Sequence, residues 1–247
     1  MKGKAPGKQR LDCSLVQRGF FETREKARRS IMAGEITIGE RVADKPGLSV
    51  AADEEIRVKA GNPYVSRGGV KLAGALDHFL IDPAGCVCLD IGASTGGFTD
   101  CLLQRGAARV HAIDVGHGQL DWKVRSDARV VVREKLNARY LGRGDLGELA
   151  DLCVIDVSFI SLTLILPAAI QLLTPEGVVI ALIKPQFELR KEDVGKGGIV
   201  REAALHERAV GKIEQFVREK LWTWLGVVQS PILGAEGNKE FLACIRN

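Results

Sequence analysis

The sequence lacks the features that would anchor the protein in a membrane or crosslink it through metals or disulfides. It contains no apolar run of about 18 residues, the length that a membrane-spanning helix needs. Its basic first ten residues have no apolar centre, so we expect no secretory signal peptide. The six cysteines form no Cys-x-x-Cys pair and have no histidine at metal-ligand spacing. We therefore expect free thiols, a cytoplasmic protein and no bound metal.

The sequence also has little surplus charge, and that surplus is confined to one part of the chain. The net charge is +4, and residues 1–60 hold 13 Lys and Arg against 9 Asp and Glu. Residues 61–247 hold 22 of each kind and are neutral overall. A basic first quarter joined to a neutral remainder suggests that the first quarter binds an anionic polymer.

The basic first quarter has the pattern of a small α+β domain. Apolar spacing predicts a helix over 11–18, and Thr23 is a suitable N-cap for a second, basic helix over 24–32. Alternating residues predict strands over 35–38 and 56–59.

This layout resembles the RNA-binding domain named after ribosomal protein S4. The resemblance includes the run A-R-R-S-I-M-A-G-E-I-T-I-G at 27–39, in which a helix leads directly into a strand. A solvated, charged helix face is the simpler alternative, but charge of one sign and the matching layout favour RNA binding. The candidate RNA-binding residues are Arg10, Arg18, Arg24, Lys26, Arg28, Arg29 and, beyond this domain, Arg67.

A glycine-rich turn between a strand and a helix dominates the rest of the chain. Residues 86–91 form a short apolar run typical of a buried parallel strand, and Gly92, Gly96 and Gly97 follow it. This spacing differs from the Gly-x-Gly-x-x-Gly of dinucleotide-binding turns, which argues against a pyrophosphate ligand. Asp90 at the strand end favours a positively charged ligand, and S-adenosylmethionine, with its sulfonium and amino groups, fits. A turn built only for tight strand–helix packing is the alternative.

Strands alternate with helices after this turn, which predicts an α/β fold with a doubly wound, mostly parallel sheet of seven strands. The last two strands are close in the sequence and are expected to pair as an antiparallel hairpin at one sheet edge. We place a small domain at 1–60, a linker at 61–66 and the α/β domain at 67–247. The predicted strands cover 86–91, 109–114, 130–133, 152–156, 178–183, 223–229 and 241–246, and the predicted helices lie near 70–79, 98–105, 161–173 and 201–220.

Polar side chains end several of these strands, where open α/β sheets bind their ligands. Asp114 is suitably placed to bond two ribose hydroxyls, and Asn137 either contacts the ligand or caps its own loop. Asp156 and Lys184 end neighbouring strands, and a lysine directly after a buried strand needs a partner such as Asp156. A plain interstrand ion pair is the alternative for these two. His117 is interpreted as an ordinary loop residue.

Six motifs, in this order, resemble the TlyA (haemolysin A) family, in which an S4-type domain is fused to an FtsJ-like ribose 2′-O-methyltransferase. The resemblance covers essentially the whole chain. It implies a Rossmann-like methyltransferase fold, S-adenosylmethionine as the cofactor and 2′-O-methylation of a cytidine in ribosomal RNA. The motifs are S-R-G-G-V-K-L (66–72), L-D-I-G-A-S-T-G-G-F-T-D (89–100), A-I-D-V-G-H-G-Q-L (112–120), D-V-S-F-I-S-L (156–162), L-I-K-P-Q-F-E (182–188) and G-N-K-E-F (237–241).

The resemblance also implies roles for individual residues. The Lys-Asp-Lys-Glu tetrad of FtsJ-like enzymes falls on Lys71, Asp156, Lys184 and Glu240. Asp90 either contacts the cofactor or only holds the turn. The full set of candidate cofactor-binding residues is Asp90, Gly92, Ser94, Gly96, Gly97, Phe98, Asp114 and Asn137.

The tetrad suits the chemistry of a ribose hydroxyl, a poor nucleophile that must lose its proton as it attacks a methyl group. Lys184 would act as the general base or, if it stays protonated, orient the hydroxyl and stabilise the developing alkoxide. Glu240 and Asp156 would orient the two lysines.

Other interpretations stay open from the sequence alone. A non-catalytic RNA-binding factor of ribosome assembly would keep this fold, but loss of Lys184 or Asp156 would be its sign, and both are present. A haemolysin is disfavoured by the lack of a membrane-spanning run. Residues 185–199 form either a flap that orders on RNA or a plain surface loop. We expect ribosomal RNA or ribosomal subunits as the partner, no membrane partner, and a monomer.

Overall fold

The structure is a computed structural model that describes residues 8–59, 61–234 and 237–247. The start of the basic N-terminus, residues 1–7, lies outside the described residues. The chain divides into two compact units, Met1–Pro63 and Tyr64–Asn247. Residues 64–66 of the predicted linker therefore belong to the second unit, where the Val65 N–H donates a hydrogen bond of 2.9 Å to Asp100 Oδ2.

The first unit packs two helices against short strands. Strand β2 lies between β3 and β5 in an antiparallel sheet, and β1 pairs with β4. The second predicted helix is confirmed, and Thr23 caps it by accepting a hydrogen bond from the Lys26 N–H. The elements are β1 (Gln9–Arg10), α1 (Leu11–Gln17), α2 (Arg24–Met32), β2 (Ile36–Ile38), β3 (Arg41–Ala43), β4 (Ser49–Val50) and β5 (Ile56–Val58).

The second unit alternates strands and helices as predicted. Its helices are α3 (Gly68–Phe79), α4 (Gly97–Gln104), α5 (Trp122–Arg125), α6 (Arg143–Leu146), α7 (Leu166–Ile170), α8 (Pro185–Glu188) and α9 (Ala203–Glu219). Its strands are β6 (Val87–Ile91), β7 (Arg109–Ile113), β8 (Val130–Arg133), β9 (Ala150–Ile155), β10 (Leu173–Ile183), β11 (Thr223–Gln229) and β12 (Phe241–Arg246).

These strands form one seven-stranded sheet in the order β11-β12-β10-β9-β6-β7-β8. The strands β10, β9, β6, β7 and β8 are parallel, and β12 runs antiparallel to both of its neighbours. The predicted edge hairpin of the last two strands is confirmed. The sheet is covered on both faces, since Leu89 and Ile91 belong to one apolar core and Cys88, the neighbour of Leu89 in the same strand, belongs to the other.

The structure adds short elements that were not predicted, among them α5 and α6, and the helix predicted over 161–173 is wrong. Instead of one helix over 161–173, a 3₁₀ turn at Leu162–Leu164 precedes the short α7. Pro167 lies in the first turn of α7 and has no N–H to donate to the preceding turn, which explains the break. Residues 185–199 contain α8 and two 3₁₀ turns, Lys191–Asp193 and Lys196–Gly198.

Helix α9 is amphipathic, and its apolar face buries Ala209, Ile213 and Val217. In the described ranges, no helix is both long and apolar enough to cross a membrane.

Candidate active site

The glycine-rich turn after β6 brings three segments of backbone together. Gly92 and Gly96 have φ angles of 86° and 91°, a region that favours glycine. A Cβ atom at Gly92 would lie 2.3 Å from the backbone oxygen of Asp156, so glycine lets the ends of β6 and β9 approach. A Cβ atom at Gly97 would lie 2.1 Å from Ser66 Oγ, so glycine also brings the start of α4 against the start of α3.

Asp90 lies beneath this turn and is fully buried. Its Oδ2 accepts a hydrogen bond of 2.6 Å from the Thr99 hydroxyl, while its Oδ1 has no hydrogen-bond partner among the described residues. Burial raises the pKa of Asp90 to about 7, and the charges of Asp156 and Asp114 add to the rise. The buried carboxyl group is therefore poised to gain from a cation placed above the turn.

A cavity of about 510 Å³ opens beside the turn at the carboxyl ends of β6, β7 and β9. Asp114 lines it and accepts hydrogen bonds from the N–H groups of Ser94 (2.8 Å) and Gly116 (2.6 Å). Asn137 also lines it, and its side chain caps a 3₁₀ turn by accepting from the Arg139 N–H. Asn137 thus caps its own loop and also borders the cavity, where a ligand could reach it.

A smaller cavity of about 190 Å³ adjoins the first and shares four lining residues with it: Gly92, Ser94, Asp156 and Ser158. Gly97 and Phe98 line this smaller cavity, as do Lys71 and Lys184. Two of the predicted cofactor-binding residues line neither cavity. Asp90 lies below the turn, and Gly96 packs against Leu120 and Val124.

The four members of the predicted tetrad form two ion pairs. Lys184 Nζ lies 2.7 Å from Asp156 Oδ1, at an angle outside hydrogen-bond geometry, and donates a hydrogen bond of 2.8 Å to Ser158 Oγ. Lys71 Nζ donates a hydrogen bond of 2.5 Å to Glu240 Oε2. The second pair is almost completely buried, whereas Asp156 is partly open to the cavity.

Long-range packing places Glu240 opposite Lys71. Glu240 lies just before β12. A Cβ atom at Gly234 would lie 2.0 Å from Glu240 Oε1, so only glycine at position 234 lets the loop run this close to the carboxylate. Arg67, at the start of α3, donates hydrogen bonds to the carbonyls of Leu233 and Gly234 in the same loop. The predicted RNA-binding residue Arg67 therefore also ties α3 to the loop before Glu240.

The motif D-V-S-F contributes two residues that the sequence analysis missed. Ser158 binds Lys184, and Phe159 has a φ of 63° with a side chain 90% exposed. The Phe159 ring lies 5.0 Å from the ring of Phe187, whose own centre is 6.0 Å from Lys184 Nζ. No periodic pattern in the sequence marks either residue. The strained backbone and the exposure of Phe159 are visible only in the folded chain.

The predicted RNA-binding side chains of the first unit differ in their partners. Arg10 and Arg24 bind the buried carboxylate of Asp12. Arg18 donates to the backbone carbonyls of Ala51, Ala52 and Glu54, so its guanidinium group holds its own unit together. The remaining three lie on α2: Lys26 and Arg29 form exposed i,i+4 pairs with Glu22 and Glu25, and Arg28 has no ion-pair partner in the described part of the chain.

The chemistry of the site suits S-adenosylmethionine. Three features fit a nucleoside ligand with positive charge. They are a buried carboxyl oxygen of Asp90 without a hydrogen-bond partner among the described residues, the acidic groups of Asp114 and Asp156, and the close backbone approach at Gly92. Across the described residues, no three His, Cys, Asp or Glu side chains come together as a metal site.

The fold and this site define a class. A mostly parallel seven-stranded sheet, with β12 antiparallel between β10 and β11, is the Rossmann-like fold of methyltransferases.

Comparison with known proteins gives the family. Residues 64–247 match the FtsJ-like methyltransferase family, and residues 9–56 match the S4 domain. The chain is 49% identical to "Putative rRNA methyltransferase YqxC" of Bacillus subtilis, over 95% of this chain and 84% of the relative. It is 44% identical to "16S/23S rRNA (cytidine-2'-O)-methyltransferase TlyA" of Mycobacterium tuberculosis, over 96% of this chain and 89% of the relative. The solved structure named "Putative hemolysin from Streptococcus thermophilus" is similar with a TM-score of 0.75 and 45% identity, over 98% of this chain and 89% of that one.

The chain therefore belongs to the FtsJ-like methyltransferases and, within them, to the TlyA (haemolysin A) family. It is an enzyme, and its methyl donor is S-adenosylmethionine.

Proposed function

We propose that the enzyme methylates the 2′-hydroxyl of a cytidine ribose in ribosomal RNA. The observation that carries this proposal is the pair of contacts at Lys184, with a carboxylate at 2.7 Å and a hydroxyl at 2.8 Å, beside a cavity that fits a nucleoside. The relatives named as ribosomal RNA cytidine-2′-O-methyltransferases and the S4 domain support the choice of substrate.

The cofactor would occupy both cavities. Asp114 would accept hydrogen bonds from its ribose hydroxyls in the larger cavity, and Ser94, Gly97 and Phe98 would border its amino-acid end in the smaller one. Asp90, beneath the turn, would favour the positive charges of the cofactor without touching it. When bound, S-adenosylmethionine supplies an electrophilic methyl group on a positively charged sulfur.

Lys184 would act on the 2′-oxygen as an ammonium group. Ser158 accepts a hydrogen bond from one of its N–H groups, and the Asp156 carboxylate lies close without a hydrogen bond, which leaves N–H groups for the substrate. It would orient the hydroxyl and stabilise the negative charge that develops on oxygen as the hydroxyl proton passes to water, while the oxygen gains its bond to the methyl group and the bond between methyl and sulfur breaks. Asp156 balances the charge of Lys184 and fixes its position.

Lys71 would supply a second positive charge to the smaller cavity. Its buried partner Glu240 compensates this charge, so that two lysines are tolerated in the same cavity. Each of the two lysines in the site thus has its own carboxylate.

Phe159 would contact the base of the target nucleotide. Its ring is almost fully exposed at the rim of the larger cavity and is held by a strained backbone. Exposed aromatic rings are the usual stacking partners of unpaired RNA bases. We further propose that the first unit anchors the RNA, and that the enzyme works in the cytoplasm as a monomer on ribosomal subunits.

The test is transfer of radiolabelled methyl groups to purified ribosomal subunits by the wild type and Lys184→Ala. We expect label at one nucleotide that resists alkaline cleavage, and a loss of about 100-fold or more in the variant. Glu219→Gln, which changes an exposed side chain of the same unit, is the control and should match the wild type. Absence of label with a bound cofactor would contradict the proposal and favour another RNA substrate or an assembly factor.

A further inference from the structure

The second unit contains a buried carboxylate to which the proposed chemistry assigns no role. Glu188 ends both the motif L-I-K-P-Q-F-E and helix α8, and its side chain is only 2% exposed. Its Oε1 accepts a hydrogen bond of 2.7 Å from the Leu162 N–H. Its Oε2 accepts hydrogen bonds from the Ser161 hydroxyl (2.5 Å) and from Lys212 Nζ (3.0 Å). Three donors from two other segments of the chain therefore converge on this carboxylate.

Two of these donors belong to the segment that begins with Asp156. Asp156 directly follows strand β9, and Ser161 and Leu162 come five and six positions after it. Glu188 comes four positions after Lys184, the residue that directly precedes α8. The Glu188 carboxylate therefore ties together the two segments that carry the ion pair of Lys184 and Asp156.

Pairing between β9 and β10 does not extend to this ion pair. The parallel ladder between the two strands ends at Ile155 and Ala181, before Asp156 and Lys184 are reached. Helix α8, which follows Lys184, has only four residues, and so short a helix is not stable without tertiary contacts. Side-chain contacts beyond the strand ends must therefore fix one segment against the other, and Glu188 supplies three of them.

Lys212 anchors the Glu188 carboxylate to the long helix α9. Its Nζ donates to Glu188 Oε2, to the Glu188 carbonyl (2.7 Å) and to Ser161 Oγ (3.3 Å), so each of its three N–H groups has an acceptor. The next residue, Ile213, is buried in the apolar core. The buried negative charge of Glu188 is thus compensated by a cation on a helix that packs against the sheet.

We propose that Glu188 is a positioning residue for methyl transfer, because it holds the end of β10 against the end of β9 and so keeps Lys184 Nζ beside Asp156. The proposal rests on the proposed function, in which Lys184 acts on the 2′-oxygen. Glu188 lines neither of the two cavities that would hold the cofactor, so it acts through Lys184. A displacement of reacting groups by about 1 Å can cost on the order of 100-fold in rate, so a residue outside the cavities can control the chemical step.

The decisive variant is Glu188→Gln in the full chain, with methyl transfer to purified ribosomal subunits measured in a single turnover at saturating S-adenosylmethionine. Glutamine keeps one oxygen for the Leu162 N–H but presents an NH₂ group to Ser161 and Lys212, which loosens the tie. We expect the rate constant to fall about 10- to 100-fold. The affinity for the cofactor by calorimetry and for the subunits by filter retention should both stay within about twofold of the wild type. The matched control is Glu219→Gln, the same change at an exposed glutamate of α9, which should leave the rate constant unaltered.

A double-mutant cycle separates positioning from general damage to the fold. In a Lys184→Ala background, the group that Glu188 positions is absent, so Glu188→Gln should cost less than about threefold in rate. A purely structural role would lower the rate constant by the same factor in both backgrounds. Every variant is measured at a temperature at which circular dichroism shows it folded.

Ser161→Ala is a milder variant that keeps the tie testable if Glu188→Gln does not fold. It removes one donor to the carboxylate and leaves the negative charge paired with Lys212. We expect the rate constant to fall about threefold to tenfold, with the cofactor affinity unchanged. Ser126→Ala, which removes an exposed hydroxyl of the same unit, is its matched control.

The outcomes separate the two proposals. The positioning role is overturned, and the proposed function stands, if the wild type methylates ribosomal RNA while Glu188→Gln and Ser161→Ala react as fast. It is also overturned if Glu188→Gln costs as much with Lys184→Ala as without it. If the wild type labels neither subunit, both proposals fail.

Discussion

Asp12 in the first unit and Asp90 in the second are both fully buried, yet their carboxyl groups are shifted in opposite directions. Asp12 meets two guanidinium groups, which hold its pKa well below the usual range. Asp90 meets one hydroxyl and two neighbouring carboxylates, and its pKa rises to about 7.

The difference shows that burial raises the pKa of an enclosed carboxyl group unless cationic partners outweigh it, as they do at Asp12. Each shift suits its place. In the first unit, a permanent anion holds cations at the surface, where an RNA would meet them. In the second unit, we propose that the Asp90 carboxyl group, whose Oδ1 has no hydrogen-bond partner among the described residues, favours a positively charged ligand above the glycine turn.

The largest expected effect comes from removing the counter-ion at the reacting edge of the second unit. Asp156→Asn leaves Lys184 without its carboxylate, so the ammonium group is neither fixed nor balanced. We expect the rate of methyl transfer to fall by about 100- to 10,000-fold. RNA binding, which we propose the first unit provides, should stay within about twofold of the wild type. A parallel loss of RNA binding in the filter assay would show that the two units do not divide their roles in this way.

The comparison is sharpened by the pH dependence of stability. The native pKa of Asp90, about 7, exceeds its ordinary value near 4, so the folded state binds the proton more tightly. Its stabilising effect is complete below about pH 4 and is lost as the pH rises through 7, by about 4 kcal/mol in total. Asp90→Asn should therefore lose less stability than the wild type between pH 5 and pH 8. Urea unfolding followed by tryptophan fluorescence reports on this unit, since Trp122, Trp222 and Trp224 all lie in it.

Asp12 should show the opposite sign. Its pKa is lowered, so its contribution is present above its ordinary pKa and disappears as the pH falls through the native value. Asp12→Asn should thus destabilise the first unit at pH 7 and have little effect in strong acid. Amide hydrogen exchange in α1 and α2 measures this unit. Equal destabilisation at both pH values would contradict the assignment of the charge.

A smaller effect is expected at the larger cavity. Asp114→Ala removes the carboxylate that would bind the cofactor ribose and that also accepts from Ser94 and Gly116. We expect the affinity for S-adenosylmethionine to fall about 10- to 100-fold by calorimetry. Asp114→Asn keeps one acceptor oxygen and should lose less. An unaltered affinity in Asp114→Ala would remove this residue from the site.

The smallest effect is expected at the exposed pairs of α2. Glu22 and Lys26 are close, but both are largely exposed, so solvent screens their attraction. Glu22→Gln should leave the melting temperature of the first unit unchanged. A measurable loss would mean that surface charges, and not the buried carboxylate, organise this unit.

Much of the second unit was predictable because its parallel strands are buried on both faces and show as continuous apolar runs. The strands at 130–133, 223–229 and 241–246 have the predicted bounds. The 3₁₀ turn and short helix around Pro167, and the brief strands at 41–43 and 49–50, were missed because local breaks and three-residue elements carry no periodic signal.

Most of the residues predicted for the candidate site line its two cavities, but their contacts could not be predicted. Strand ends marked Asp114, Asp156 and Lys184, since parallel strands deliver their carboxyl ends to one edge. Ser158 and Phe159 escaped notice because a hydrogen bond to Lys184 and a strained, exposed ring depend on neighbours distant in the chain.

By itself, the sequence determined the class of fold, the family and the segment that carries the cofactor turn, because these depend on local periodicity and on motifs of adjacent residues. Only the tertiary structure decided which charges pair. Lys71 and Glu240 are separated by 168 intervening residues and meet through α3 and the loop before β12. Asp12 and Asp90 are the same residue type in apolar surroundings, and only the groups that folding brings to each one set their charges apart.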